Sequence, residues 1–292
     1  MKLSIISEGG AMRGAYSVGV LKALSEHYGL KKIDFAGGSS AGIVNIAFYV
    51  TGNIKGMEKV WKEDVTTKEF LDFNRYRENK LMMNLDYIME KCQEKGLSDE
   101  AIRKSQTELI IPVTNVNTGK ADFYSTKSYQ ENLIELIKAS MDMPFISDKN
   151  IEINGNVSID SGITAPVPFD YETFNDSKKI VIMTKTPRQV GKSRMIDIVS
   201  RELAHLFGIM PKALYGALKK KEHIYKDAYK KIIEKAGPEL VLVQPTEKLS
   251  RLDNTPRNIN NTINQGYNDA VNNEALKYVM CVTNAHRPDL FR

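Results

Sequence analysis

Gly38-Ser39-Ser40-Ala41-Gly42 decides how this chain of 292 residues folds. The five residues fit the pattern G-x-S-x-G, with one apolar run before them at 32–37 and another after them at 43–51. The first run is short and reads as a buried strand. The second is long enough for an apolar helix that ends at Gly52. A serine between a strand end and a helix start sits on a sharp turn that pushes its hydroxyl outward. Such a turn crowds the residues two places before and after the serine, which here are Gly38 and Gly42. The helix start adds backbone N–H groups and a positive dipole end, both suited to a developing oxyanion. Alone, the pattern does not separate a nucleophile from a loop that merely links strand to helix. Ser39 lacks a second glycine at the required distance and is set aside as a nucleophile.

The same grammar stands once more upstream. Lys2–Ser7 is a short apolar run with two β-branched isoleucines and reads as a strand. A glycine-rich loop follows, Glu8-Gly9-Gly10-Ala11-Met12-Arg13-Gly14. Residues 14–27 then carry Val18, Leu21, Ala23 and Leu24 at helical spacing, closing near Gly29. Two strand-turn-helix units in succession predict an α/β fold with a mostly parallel central sheet flanked by helices. If the two strands are neighbours, the glycine-rich loop lies above Ser40. Its small residues let backbone N–H groups approach a tetrahedral oxyanion, where the loss of one donor costs ~3 kcal/mol. Arg13 either locks the loop or holds an anionic head group. A nucleotide loop is disfavoured, because neither the G-x-G-x-x-G spacing nor a Gly-Lys-Ser/Thr is present. An ordinary turn before a helix remains open.

Further along, residues 56–95 read as mostly helical, and 109–115 and 120–125 as strands joined through Asn117-Thr118-Gly119. Residues 129–139 read as a helix. Residues 151–153 and 157–159 flank Asn154-Gly155, the strongest hairpin signal in the chain. Strands are expected at 179–184 and 239–244, a long basic helical stretch between them, and one closing helix over 258–279.

A nucleophilic serine needs a group to take its proton. The histidines, His27, His205, His223 and His286, each read as surface or packing residues. Asp160 ends the strand at 157–159 and opens Asp160-Ser161-Gly162, a strand-end turn from which a carboxylate reaches across the sheet edge. Burial would raise its pKa from the usual value near ~4 toward that of a useful base. Taken alone, the reading of Asp160 as an Asx-turn residue is the stronger one.

Together, the three segments resemble the patatin-like phospholipase family in its bacterial form. That family carries D-G-G-G-x-[RK]-G, then G-x-S-x-G about 25–30 residues later, then D-G-[GA] far downstream. Here these stand as residues 8–14, 38–42 and 160–162. Residues 15–21 and 139–144 are also typical of their places, and the resemblance covers about the first 170 residues. It implies a three-layer sandwich and a Ser-Asp dyad without histidine, with Ser40 as nucleophile and Asp160 as base. Gly9, Gly10 and Ala11 become the oxyanion donors. Arg13, Gly14, Gly38, Gly42 and Gly162 hold the motif positions. Glu8 stands for the motif's aspartate, Ala11 for its third glycine and Ser161 for the middle glycine of the third motif. A methyl group at Ala11 is tolerable only with negative φ.

Composition sets the frame. Hydrophobic residues make up 42% and charged residues 26%, ordinary for a globular chain large enough for a full core. Residues 1–185 read as the catalytic core, with 186–292 packed on the same domain. No secretion signal or membrane-spanning run is read, so the expected location is cytoplasmic, with peripheral membrane contact as the second reading. Cys92 and Cys281 suggest no disulfide framework, and no ligand cluster calls for a metal or other cofactor. The net charge is +5, but residues 185–235 hold 13 Lys/Arg against 5 Asp/Glu. That stretch mixes its charge with Leu206, Phe207, Ile209, Met210, Leu214, Tyr215 and Leu218, a pattern suited to an anionic membrane surface. A solvated helix face is the preferred reading, and no nucleic-acid motif accompanies the charge. The leading function is an acyl-ester hydrolase acting on lipids, a phospholipase or esterase. The alternatives are a thioesterase, an acyltransferase, a hydrolase using His205 or His286, and a non-catalytic lipid-binding module.

Overall fold

A computed structural model describes residues 2–78, 81–144, 146–147, 151–190 and 210–291. The strands are β1 (Lys2–Ser7), β2 (Phe35–Gly38), β3 (Glu108–Asn115), β4 (Lys120–Ser125), β5 (Ile151–Ile153), β6 (Asn156–Ile159), β7 (Ser177–Ile182) and β8 (Leu240–Val243). They form one mixed sheet in the order β5-β6-β3-β2-β1-β7-β8, with β4 also paired to β3. The central pairs β3-β2, β2-β1, β1-β7 and β7-β8 are parallel, and the antiparallel pairs lie toward the β5 edge. The hairpin at Asn154-Gly155 turns with φ values of 50° and 75°, the double positive φ that favours Asn-Gly.

The α-helices are α1 (Gly14–Glu26), α2 (Ala41–Val50), α3 (Ile54–Lys59), α4 (Leu85–Glu94), α5 (Asp99–Lys104), α6 (Leu133–Ala139), α7 (Lys212–Lys235), α8 (Pro256–Asn272) and α9 (Glu274–His286). Alternation along the strands feeds two cores. Leu3, Ile5, Ile180 and Ile182 point into the larger one with α1, α2, α8 and α9. Ile6, Val181, Ile110 and Leu240 point the other way, onto Phe169, Phe174 and the α7 residues Tyr225 and Ile232. The result is helices on both faces of a mostly parallel sheet. Among the described residues, no helix is long and apolar enough to cross a membrane.

Several boundaries differ from the sequence expectations, each for a local reason. β2 begins at Phe35 rather than residue 32, because the N–H groups of Lys31 and Lys32 bond to Leu290 O instead of a strand. The expected closing helix is two helices, since Asn273 is extended and its side chain caps α9 at Leu276 N–H. The helical reading of 56–95 is interrupted after a π-helical turn at Val60–Asp64, where the Thr66 and Thr67 hydroxyls bond back to the carbonyls of Lys62 and Asp64. Helix α6 starts at Leu133, later than expected, under an Asn132 cap. Helix α5, capped by Ser98, was not expected. Most of the basic segment's apolar residues up to Ile209, and His205, lie outside the described residues.

Helices α1 and α8 touch backbone to backbone. A Cβ on Gly19 would meet the backbone of Ile263 and Tyr267, and one on Gly266 the backbone of Tyr16. Alanine favours helix by up to ~1 kcal/mol over glycine, but here it forces the helices apart. Gly19→Ala and Gly266→Ala are each expected to cost a net ~1–3 kcal/mol in urea unfolding. An unchanged midpoint in either variant would contradict this packing.

Candidate active site

Parallel strands β1 and β2 end side by side, with Ser7 in register with Gly38. Two backbones then converge above the sheet. A Cβ on Gly42 would lie 2.6 Å from the carbonyl oxygens of Ser7 and Glu8, and one on Gly38 would lie 3.0 Å from the Gly42 carbonyl carbon. A Cβ on Gly9 would lie 2.6 Å from Cβ of Ser40. Contact therefore excludes a side chain at Gly9 and Gly42, and a Cβ at Gly38 would be tight. Ser40 itself has φ 50° and ψ −132°, an uncommon conformation for a residue with a side chain. It caps α2, so the dipole of that helix begins at the serine.

The strained turn is held from several sides. Ser161 Oγ accepts the N–H of Ser40 at 3.0 Å and shares a 2.8 Å hydrogen bond with Ser140 Oγ. Ser39 Oγ donates to Pro166 O and accepts the Gly9 N–H. Ser161 thus contributes a hydroxyl where the resemblance has glycine. The serine at 161 is visible in the sequence, but its partner lies 121 residues away in the chain.

Ser40 Oγ donates a 2.6 Å hydrogen bond to Asp160 Oδ2. The two residues are 8% and 3% exposed, so this contact is shielded from water. The other carboxylate oxygen accepts the Gly162 N–H at 2.8 Å. The Asp160 backbone is fixed by Asp142 O and by the Thr114 hydroxyl. The Asx turn read from the sequence and the contact with Ser40 are both present. Burial pushes the Asp160 carboxyl above the ordinary carboxylate range. The positive fields of Lys221 and Arg251, the Ser40 hydroxyl and the Gly162 N–H pull it partly back.

The glycine-rich loop packs against this pair. Gly9 spends its N–H on Ser39 Oγ. The N–H groups of Gly10, Ala11 and Ala41 make no hydrogen bond among the described residues. Ala11 has φ 52°, against the negative φ expected from its methyl group, and this left-handed conformation costs about 1–2 kcal/mol. It is held by the next two residues, whose N–H groups bond to Arg251 O and Gly10 O. Arg13 turns inward and its Nε donates to Thr184 Oγ1 at 3.5 Å. Gly14 opens α1 against Ala41 and Trp61, where a Cβ would lie 2.9 Å from each side chain.

Beside Ser40 lies an apolar cavity of ≈ 40 Å³, lined among others by Met12, Val44, Trp61, Phe70, Ile88 and Cys92. Trp61 lies on the π-helical turn, and its Nε1 donates to Asn45 Oδ1 on α2. Burial pushes the Cys92 thiol up to about 12, so at neutral pH the wall carries no charge there. The described histidines, His27, His223 and His286, are all exposed. His286 Nδ1 lies 2.8 Å from Val282 O on its own helix. His27 follows the far end of α1, roughly 20 Å along the helix from Gly14 at 1.5 Å per residue, and His223 is exposed on α7.

The geometry is that of a hydroxyl poised against a buried carboxylate, with unused backbone donors and an apolar cavity beside it. Comparison with known proteins agrees in fold and family. The chain is 23% identical to an uncharacterised protein, YjjU, of Escherichia coli (strain K12) over 194 residues. That match covers 65% of this chain and 53% of YjjU, so the chain spans about half the length of its curated relative. The crystal structure of VipD from Legionella pneumophila matches with a TM-score of 0.51 at 13% identity, over 95% of this chain and 67% of that one, a likeness of fold. The family model for patatin-like phospholipases matches residues 5–172, a span that holds the Glu8–Gly14 loop, the Ser40 turn and Asp160. On that match over more than half its length, the chain belongs to the patatin-like phospholipase family.

Proposed function

We propose that this protein is a lipid acyl hydrolase, a phospholipase or esterase that works through a Ser40–Asp160 dyad. The observation that carries the reading is the buried 2.6 Å hydrogen bond from Ser40 Oγ to Asp160 Oδ2. Ser40 Oγ attacks the acyl carbonyl while Asp160 takes the hydroxyl proton. The carbonyl oxygen becomes an oxyanion held by the N–H groups of Gly10, Ala11 and Ala41. Collapse breaks the ester C–O bond, and the proton on Asp160 passes to the departing alcohol. A water then attacks the acyl-Ser40 ester, Asp160 takes its proton, and the fatty acid leaves as Ser40 regains its hydrogen.

Charge supports this assignment. A buried carboxylate with a raised pKa is a better proton acceptor than an ordinary one, and Lys221 and Arg251 keep the elevation in check. The exposed Lys212, Lys219 and Lys220 lie on the part of α7 whose Leu214 and Ala217 pack near Ile163, beside the Asp160 turn. In this reading they face an anionic lipid surface. Residues 1–185 carry the reacting groups, and the described residues after them close the same domain.

The following outcomes are expected. Ser40→Ala abolishes hydrolysis of nitrophenyl butyrate, and Asp160→Asn lowers kcat about 10²–10⁴-fold. Near-normal turnover in the Asp160 variant would contradict the dyad. Next, the acidic limb of kcat/KM lies above the ordinary carboxylate value of about 4, because Asp160 must ionise to act. Between that value and the raised one, the folded chain binds more protons at Asp160 than the unfolded chain does. Stability therefore falls as pH rises through this window. At pH 7, Asp160→Asn is accordingly expected to melt no lower than the wild type, and a clearly lower Tm would show that the ionised carboxylate stabilises the fold. Finally, the cavity holds a few methylene-sized groups, since a water-sized group needs about 10–15 Å³. Across nitrophenyl esters, butyrate should be hydrolysed faster than palmitate, and the reverse order would contradict the assignment of this cavity to the acyl chain.

A further inference from the structure

Strand β7 runs parallel to β1 with Ile182 opposite Ser7, which brings Thr184 beside Gly9 just beyond both strand ends. The ladder does not stop there. Glu8 N–H bonds to Ile182 O at 2.8 Å, as a strand residue would. The next two bonds use side chains. Thr184 N–H donates to Glu8 Oε2 at 2.6 Å, and Thr184 Oγ1 donates to Gly9 O at 2.6 Å. Thr184 is fully buried and Glu8 is 3% exposed. Neither bond is exchanged with water, and each would be expensive to leave unmade.

The bond to Gly9 O has a consequence for the neighbouring residue. A trans peptide is planar, so the carbonyl of Gly9 and the N–H of Gly10 point in opposite directions. Pulling Gly9 O toward Thr184 aims the Gly10 N–H away from β7. Ser40 lies against Gly9, where a Cβ would come within 2.6 Å of the Ser40 Cβ. Gly10 has φ 146°, and a side chain there would strike Thr184 Oγ1 at 2.7 Å and Arg13 Nη2 at 2.9 Å. Thr184 thus holds this peptide through the Gly9 carbonyl, and the Arg13 guanidinium packs against the Thr184 hydroxyl. This chain's Glu8 holds the Thr184 backbone in turn.

We propose that Thr184 is a positioning residue for oxyanion stabilisation, its hydroxyl fixing the Gly9–Gly10 peptide so that the Gly10 N–H faces the carbonyl attacked by Ser40. The inference rests on the acyl-hydrolase reading above. It adds a residue far outside the three motifs, 175 positions from the carbonyl that it holds.

The test compares Thr184→Val, Thr184→Ala and Thr184→Ser with the wild type and with Ser40→Ala. Steady-state hydrolysis of nitrophenyl butyrate, the rate of Ser40 labelling by a fluorophosphonate, and thermal unfolding are measured on each. Loss of one oxyanion donor typically costs about 10²–10³ in kcat. A donor that is misaimed rather than deleted should cost less, so Thr184→Val is expected to lower kcat and the labelling rate about 10- to 100-fold. KM should stay within about threefold, the split that marks an interaction made in the transition state. Thr184→Ser keeps the hydroxyl and should recover kcat to within about threefold of the wild type. Should Thr184→Val fail to fold, Thr184→Ala removes the same hydroxyl without filling its space and carries the test. Wild-type kcat and labelling in a folded Val or Ala variant would overturn the positioning role while leaving the Ser40-dependent activity in place. Failure of both variants to fold would make Thr184 structural and overturn it too. A wild type that neither hydrolyses the ester nor labels at Ser40 would overturn the hydrolase reading and this inference with it.

Discussion

Everything at this site depends on two backbones meeting without side chains between them. The end of β1 and the turn after β2 approach so closely that Gly9 and Gly42 have no room for a Cβ and Gly38 has little. Their contact places the loop donors above Ser40 and lets α2 begin at the serine. The strain at Ser40 and Ala11, both with positive φ, is sustained by hydrogen bonds from Ser161, Ser39, Arg251 and the loop itself. These partners come from four separate stretches of chain. A single loop could not hold such a geometry, because each strained residue costs of order 1–3 kcal/mol.

Charge is treated in the same manner. Asp160 is buried with a raised pKa, and the half-buried Lys185 lies over the Tyr225 ring with its own pKa lowered, first by burial and then by Arg13 and Lys221. Glu8 and Glu222 oppose that lowering. Tyr225 is pushed up by burial and by Glu8. Ionisable groups in such a setting weaken the fold at neutral pH relative to apolar ones. Perturbed groups gathered around Glu8 and Asp160 support the reading of this region as the reacting site.

Local features were legible in the sequence. β1, the β3–β4 pair and the Asn154-Gly155 hairpin follow from apolar runs and turn residues. The parallel sheet follows from two strand-turn-helix units in a row. Ser40 and Asp160 could be singled out because glycine turns at strand ends frame both. Boundaries set by remote partners could not, as at β2, where Leu290 takes the N–H groups that a longer strand would use. The split between α8 and α9 had a visible signal in Asn272-Asn273, which serves as a cap. Gly9 reads as an oxyanion donor by pattern, yet its N–H is spent on Ser39. Ser161 and Thr184 act across 121 and 175 residues, and no local period or spacing encodes such contacts.

A crystal structure of the protein after reaction with a small alkyl fluorophosphonate bears on the central claim most directly, because the adduct mimics the tetrahedral intermediate at the serine. Phosphorus bonded to Ser40 Oγ is expected, with the phosphoryl oxygen about 2.7–3.1 Å from the N–H groups of Gly10 and Ala11 or Ala41. The alkyl group should lie in the cavity beside Trp61. An adduct on another side chain, or a phosphoryl oxygen turned away from the glycine-rich loop, would contradict the assignment of Ser40 and of the loop that faces it.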